Sequence, residues 1–127
     1  PELITPVLEK TRDSYNIDAI SQSLGLAALL DQSYAQNTWQ KVREQRQLLA
    51  HSLETMGWTS LPSEANFLLA TPPATGISAA EIYRQLKAAN ILVRYFDHQR
   101  LRDKLRISVG TADQNQTLLA QIQRIGS

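Results

Sequence analysis

Arg94 and Arg106 are the side chains whose type and placement point most directly to chemistry. In "KLRISVGTADQ" (104–114) Leu105, Ile107 and Val109 alternate with Arg106 and Ser108. That run reads as a strand with one apolar face, and the arginine leaves by the other. In "ILVRYF" (91–96) Ile91 and Val93 alternate in the same way with Leu92 and Arg94. If both apolar sides face one core, two guanidinium groups share the sheet face that the core leaves uncovered. A guanidinium is planar and permanently charged, and its fork donates two parallel hydrogen bonds to a carboxylate or phosphate, so a local anion site is the chemistry on offer. Pattern alone favours a plainer alternative, two solvated arginines in surface ion pairs of little energetic weight.

Other candidates are weaker. Gly110 and Thr111 open a helix whose free amides could hold an anion. They lie roughly 16 Å along the strand from Arg106, too far to share one small anion, and Thr111 reads as a helix cap. Arg100, Arg102 and Lys104 are diluted by Asp97 and Asp103 and lack interleaved aromatics, so a solvated turn is preferred to a nucleic-acid surface. His51 and His98 read as exposed residues rather than ligands. Trp39 and Trp58 read as core packing. Asn66 in "SEANF" is a possible neighbour of the two arginines.

These residues must be held by a modest chain. Its 127 residues make one domain, able to bury about two-thirds of the surface the unfolded chain exposes. Thirteen Lys+Arg against twelve Asp+Glu leave a net charge of +1, so the overall field draws in neither nucleic acid nor an anionic membrane. Without cysteine there is no disulfide framework and no thiolate metal site. No apolar run approaches the ~20 residues of a membrane span, and no signal peptide opens the chain. A soluble, cytoplasmic protein is expected. Pro1 in place of an initiator methionine suggests a processed or cut chain.

Prolines at 1 and 6 mark residues 1–15 as an extended lead-in, followed by a domain over 16–127. Asn16 could cap a helix carrying Ile17, Ile20, Leu24, Ala27 and Ala28. Asp31 could cap a second, longer helix, with Tyr34, Trp39, Val42, Leu49, Leu53 and Met56 as its apolar stripe and Gly57 as its end. Residues 65–70 read as a strand, "SAAE" (78–81) as a capping box opening a helix with Ile82, Leu86 and Ala89 on its buried side, and Asn90 as that helix's end. "ILVRYF" and "LRISVG" supply two more strands, and a last helix carries Leu118, Ile122 and Ile125. The fold class is α+β. A small mixed three-stranded sheet has helices packed on one face and is preceded by two helices, with a right-handed crossover between the first two strands.

"KTRDSYNIDAISQSLGLAALLD", "PSEANFLLA", "ILVR" and "LRISVGTADQNQTLL", in this order and at these intervals, resemble the C-terminal part of the histidinol-phosphate aminotransferase family. These are pyridoxal-phosphate enzymes of the aspartate aminotransferase fold. The likeness runs over nearly the whole chain, and its specificity lies in the ordered set. It implies that the chain is the C-terminal small domain of a fold-type I aminotransferase, covered by a large cofactor-binding domain and working as a homodimer. The parent enzyme would transfer an amino group between L-histidinol phosphate and 2-oxoglutarate in histidine biosynthesis.

The family's "LRI[ST]VGT" arginine matches Arg106, which would bind the phosphate of this small phosphorylated amine. Arg94, in the family's "I[IL][VL]R" strand, would stand beside it, with Asn66 as a further substrate-binding neighbour. The pyridoxal 5'-phosphate lysine of the family lies upstream of Pro1. None of Lys10, Lys41, Lys87 and Lys104 reproduces its motif, Lys41 with Thr38 reading as a helix-surface pair. The chain alone is therefore expected to be inactive. Ser14-Tyr15-Asn16 stands where the family usually has Pro-Tyr-Asn, which loosens the backbone at the domain junction. A related aromatic aminotransferase, a threonine-phosphate decarboxylase and a free-standing anion- or protein-binding module are the alternatives. Leu92, on the face of Arg94, also implies exposed apolar surface and self-association of the isolated piece.

Overall fold

A computed structural model of the chain describes residues 3–11, 17–74 and 76–126. The chain divides into two compact units, residues 1–36 and 37–127. The first holds helices α1 (Thr5–Thr11) and α2 (Ala19–Leu30) and the start of α3 (Gln32–Thr55). The lead-in, read as extended, is therefore helical over seven residues. Pro6 falls in the first turn, where a missing N–H has no helical partner to lose. Asn16, expected as the cap of α2, lies outside the described residues, as do Ser14 and Tyr15. Asp18 caps that helix, accepting from the Ser21 amide at 2.9 Å. Neither α1 nor α2 has a buried residue.

Asp31 caps the next helix as expected, accepting from the Tyr34 amide at 3.1 Å. From there α3 runs unbroken for 24 residues. It stops where Gly57 takes φ +80° and the Trp58 amide reaches back to the Leu53 carbonyl at 3.0 Å. This is a Schellman closure, whose left-handed residue costs glycine little. The second unit continues with β1 (Thr59–Ser60), β2 (Phe67–Thr71), α4 (Ala79–Ala88), β3 (Arg94–Tyr95), β4 (Leu105–Ser108) and α5 (Ala112–Gly126). Ser78 caps α4 through the Glu81 amide. Asn90, at φ 59°, ends it with the Ile91 amide on the Leu86 carbonyl at 2.9 Å.

The α+β class holds, with a difference in the sheet. Four strands stand in the order β1-β2-β4-β3, and every neighbouring pair is antiparallel. The sequence reading has three strands and a mixed sheet. Strands β2 and β3 do run the same way, joined by the α4 crossover, but the crossover skips one position and β4 returns into the gap. The additional strand is the two-residue β1, too short to show a period.

Alternation on the paired strands fixes the core. Leu68 and Ala70 of β2 and Leu105 and Ile107 of β4 are buried, beneath Leu49 and Leu53 of α3, Ile82 and Leu86 of α4, and Leu118 and Ile122 of α5. Three helices thus cover one sheet face, and Trp58 is buried in the same core. Trp39 departs from expectation. Every buried residue of α3 lies at Arg46 or beyond, so Tyr34 and Trp39 stay exposed at 71% and 54%. Among the described residues no helix is long and apolar enough to cross a membrane.

Candidate functional site

The sheet face away from the helices gathers the two arginines. In the antiparallel register Arg106 stands directly opposite Arg94 on one side and Leu69 on the other, and direct partners share a face. Both arginines are exposed, while Leu105 and Ile107 on either side of Arg106 are buried. Like charges directly across a ladder repel, which calls for a compensating partner. Among the described residues no carboxylate forms an ion pair with either guanidinium.

Their partners are aromatic rings. The Arg106 guanidinium carbon lies 5.3 Å from the centre of the Phe67 ring and 5.9 Å from that of Phe96, and the Arg94 carbon lies 5.4 Å from Phe96. Phe67 opposes Ser108 in the register, so it shares the Arg106 face as a diagonal neighbour, within reach of a long side chain. Sequence reasoning gave neither ring a role. Their signal was parity, since Phe96 stands two residues beyond Arg94 and Phe67 two before Leu69.

Asn66 precedes β2, and its carbonyl accepts from the Val109 amide at 2.8 Å. It therefore ties the start of β2 to the end of β4, next to Phe67. The segment before it is pinned from α3. Arg46 donates to the Ala65 carbonyl at 2.9 Å and to the Glu64 carboxylate at 2.7 Å, its side chain 8% exposed. Ser63 adds a bond from its hydroxyl to the Phe67 carbonyl at 2.7 Å. The buried arginine was invisible to a search for apolar stripes.

Just past this same end of β4 the competing anion site is already satisfied. The Thr111 amide donates to Gln114 Oε1 at 2.9 Å, and the Gly110 amide to Asn115 Oδ1 at 3.0 Å. Thr111 Oγ1 in turn accepts from the Gln114 amide at 3.4 Å, so Thr111 is the cap the sequence suggests. Buried Asn115 also donates to Gln45 at 3.0 Å, joining this turn to α3. In the turn before β4, the Lys104 ammonium hydrogen-bonds Asp103 and holds its carboxyl below the ordinary value. His51 is exposed on α3, 4.0 Å from the Glu54 carboxylate, and His98 lies in the turn between β3 and β4.

Fold and site together define a small α+β domain that hides one sheet face under helices and presents paired guanidinium groups on the other. The model of the aminotransferase class I and II family matches residues 4–122, and the chain belongs to that family. The histidinol-phosphate aminotransferase of Microcystis aeruginosa is 50% identical over 118 residues, covering 93% of this chain and 33% of its own length. That of Rippkaea orientalis is 45% identical with the same coverage. The chain thus spans about a third of the length of the curated relatives it matches. A solved histidinol-phosphate aminotransferase from Sinorhizobium meliloti, in complex with pyridoxal-5'-phosphate, shares the fold at a TM-score of 0.80 and 24% identity, over 94% of this chain and 33% of that one.

Proposed function

We propose that this chain is the C-terminal small domain of a histidinol-phosphate aminotransferase and that Arg106, with Arg94 beside it, binds the phosphate of the amine substrate. The observation that carries the reading is the cross-strand arginine pair, which no carboxylate among the described residues partners. A phosphate set over both forks relieves the repulsion and offers each a bidentate partner. A dianion does this better than a single carboxylate, because it matches two charges with two. The 50% identity to a relative of that name supports the substrate. Asn66 enters this proposal from the resemblance alone, its carbonyl being tied to the Val109 amide at the strand's start. The domain of residues 16–127 would close against a large cofactor-binding domain, with 1–15 as the connection, in a homodimer.

Pyridoxal 5'-phosphate, when bound, supplies the electron sink that amino-group transfer needs. None of this chain's lysines stands where the resemblance puts the cofactor lysine. Lys10 and Lys41 are exposed on α1 and α3, the Lys87 ammonium lies over the Tyr83 ring at 6.0 Å, and the Lys104 ammonium bonds both oxygens of Asp103 at 2.7 and 2.6 Å. We assign the cofactor to the larger part of the parent protein, and to this chain the recognition of the substrate's anionic end.

The test is the absorption spectrum of the complete protein before and after histidinol phosphate. A cofactor band that shifts with the amine is expected. Arg106→Ala should raise the amine concentration needed by roughly 10- to 150-fold, the loss of a hydrogen-bonded charge pair. A band indifferent to the amine, or an unchanged concentration dependence in Arg106→Ala, overturns the reading.

A further inference from the structure

Resting on the anion-binding role of Arg106, we propose that Phe67 and Phe96 are positioning residues that clamp its guanidinium between two rings. An exposed arginine samples many rotamers, and ordering it on a ligand costs binding free energy. Here the guanidinium carbon lies within 6 Å of two ring centres, one contributed by β2 and one from just beyond β3, so contacts on two sides restrict the side chain before any ligand arrives.

The choice of partner matters as much as the restriction. A carboxylate would occupy the fork's donors and cancel its charge, whereas a ring attracts the cation through its π face and leaves both properties in place. Phe96 also meets the Arg94 guanidinium at 5.4 Å, so one ring braces both members of the repelling pair. The Phe67 side of the clamp depends on the Arg46 and Ser63 bonds, which fix the backbone from 65 to 67. Both rings are half-buried, anchored at the sheet yet open to the face they serve.

The test uses the complete aminotransferase with its cofactor bound, with inorganic phosphate binding by calorimetry and amine kinetics read side by side. Phe96→Leu and Phe67→Leu keep apolar bulk and remove the π face. Each should weaken phosphate binding and raise KM for histidinol phosphate by roughly 2- to 5-fold, and together by about 5- to 25-fold, with kcat changed less than about 2-fold. Phe96→Tyr and Phe67→Tyr keep the face and should restore wild-type values. A Leu variant that fails to fold is replaced by Met at the same position, with the same expectation.

Leu variants that bind phosphate like wild type, while Arg106→Ala loses it, overturn the clamp and leave the role of Arg106 standing. A kcat falling as far as KM rises, or no rescue by Tyr, reduces the rings to general packing and also overturns it. If Arg106→Ala itself binds phosphate and amine normally, the functional reading fails instead.

Discussion

Replacing Arg46 by methionine should cost the fold about 2 kcal/mol, through the Ala65 carbonyl rather than through the ion pair that looks stronger on paper. Arg46 makes two bonds, to the Ala65 carbonyl at 2.9 Å and to Glu64 Oε2 at 2.7 Å. The Glu64 side chain is 93% exposed, so its carboxylate returns to water when the arginine goes, and such a pair contributes about 0–1 kcal/mol. The Ala65 carbonyl sits part-buried under α3. Losing its charged donor leaves an under-satisfied acceptor, at about 1–3 kcal/mol. Methionine keeps most of the aliphatic stem, so little of the loss comes from packing.

Urea unfolding of wild type, Arg46→Met and Glu64→Gln decides the matter, with m-values compared to confirm that stability alone has changed. Arg46→Met should fall by about 2 kcal/mol and Glu64→Gln by less than about 0.5 kcal/mol. Equal losses in the two variants would refute the assignment, because the ion pair would then carry the bond. A loss under about 0.5 kcal/mol in Arg46→Met would refute it differently, by showing that water replaces the guanidinium at Ala65.

Two further outcomes follow from local geometry. A Cβ on Gly110 would meet Gln114 Oε1 at 2.8 Å and Gln114 Cβ at 2.9 Å. Gly110→Ala should therefore push Gln114 off the Thr111 amide and destabilise the domain by about 1–3 kcal/mol, read from its thermal midpoint. An unchanged midpoint would show that the turn shifts freely. The Asp18 carboxyl is held below its ordinary value first by the Ser21 hydroxyl and then by the Ser21 amide. Its contribution to α2 is thus complete above the ordinary carboxylate value of about 3.9 and is lost as pH falls through the lowered one. Carboxyl-carbon NMR should place the Asp18 midpoint below the ordinary carboxylate value, and Ser21→Ala should move it up. A midpoint indifferent to Ser21→Ala would remove the Ser21 hydroxyl from the explanation and leave only the amide bond of the cap.

How much of this was legible in the sequence depends on how far apart the cooperating residues lie along the chain. Alternation put Arg94 and Arg106 on the open face, and the caps at Asp31, Ser78 and Thr111 and the helix ends at Gly57 and Asn90 were all readable, because each involves residues within a turn or two. Pro6 misled because proline is read as a helix breaker, while in a first turn it breaks nothing. Trp39 misled because helical spacing says that residues share a stripe but not how far the core extends beneath it.

What stayed hidden is what register decides. Parity alone assigns Phe67 and Phe96 to a face once their strands are known, but their meeting at Arg106 requires β4 to enter between β2 and β3. That order follows from the whole sheet and not from any segment of it. The buried bond from Arg46 to Ala65 is equally non-local, joining α3 to the entry of β2. The charge is therefore legible in the sequence, and its supports are not. The same division orders the tests above: substituting Arg106 probes what the local pattern announced, and substituting Phe96 or Arg46 probes what only the assembled sheet brings together.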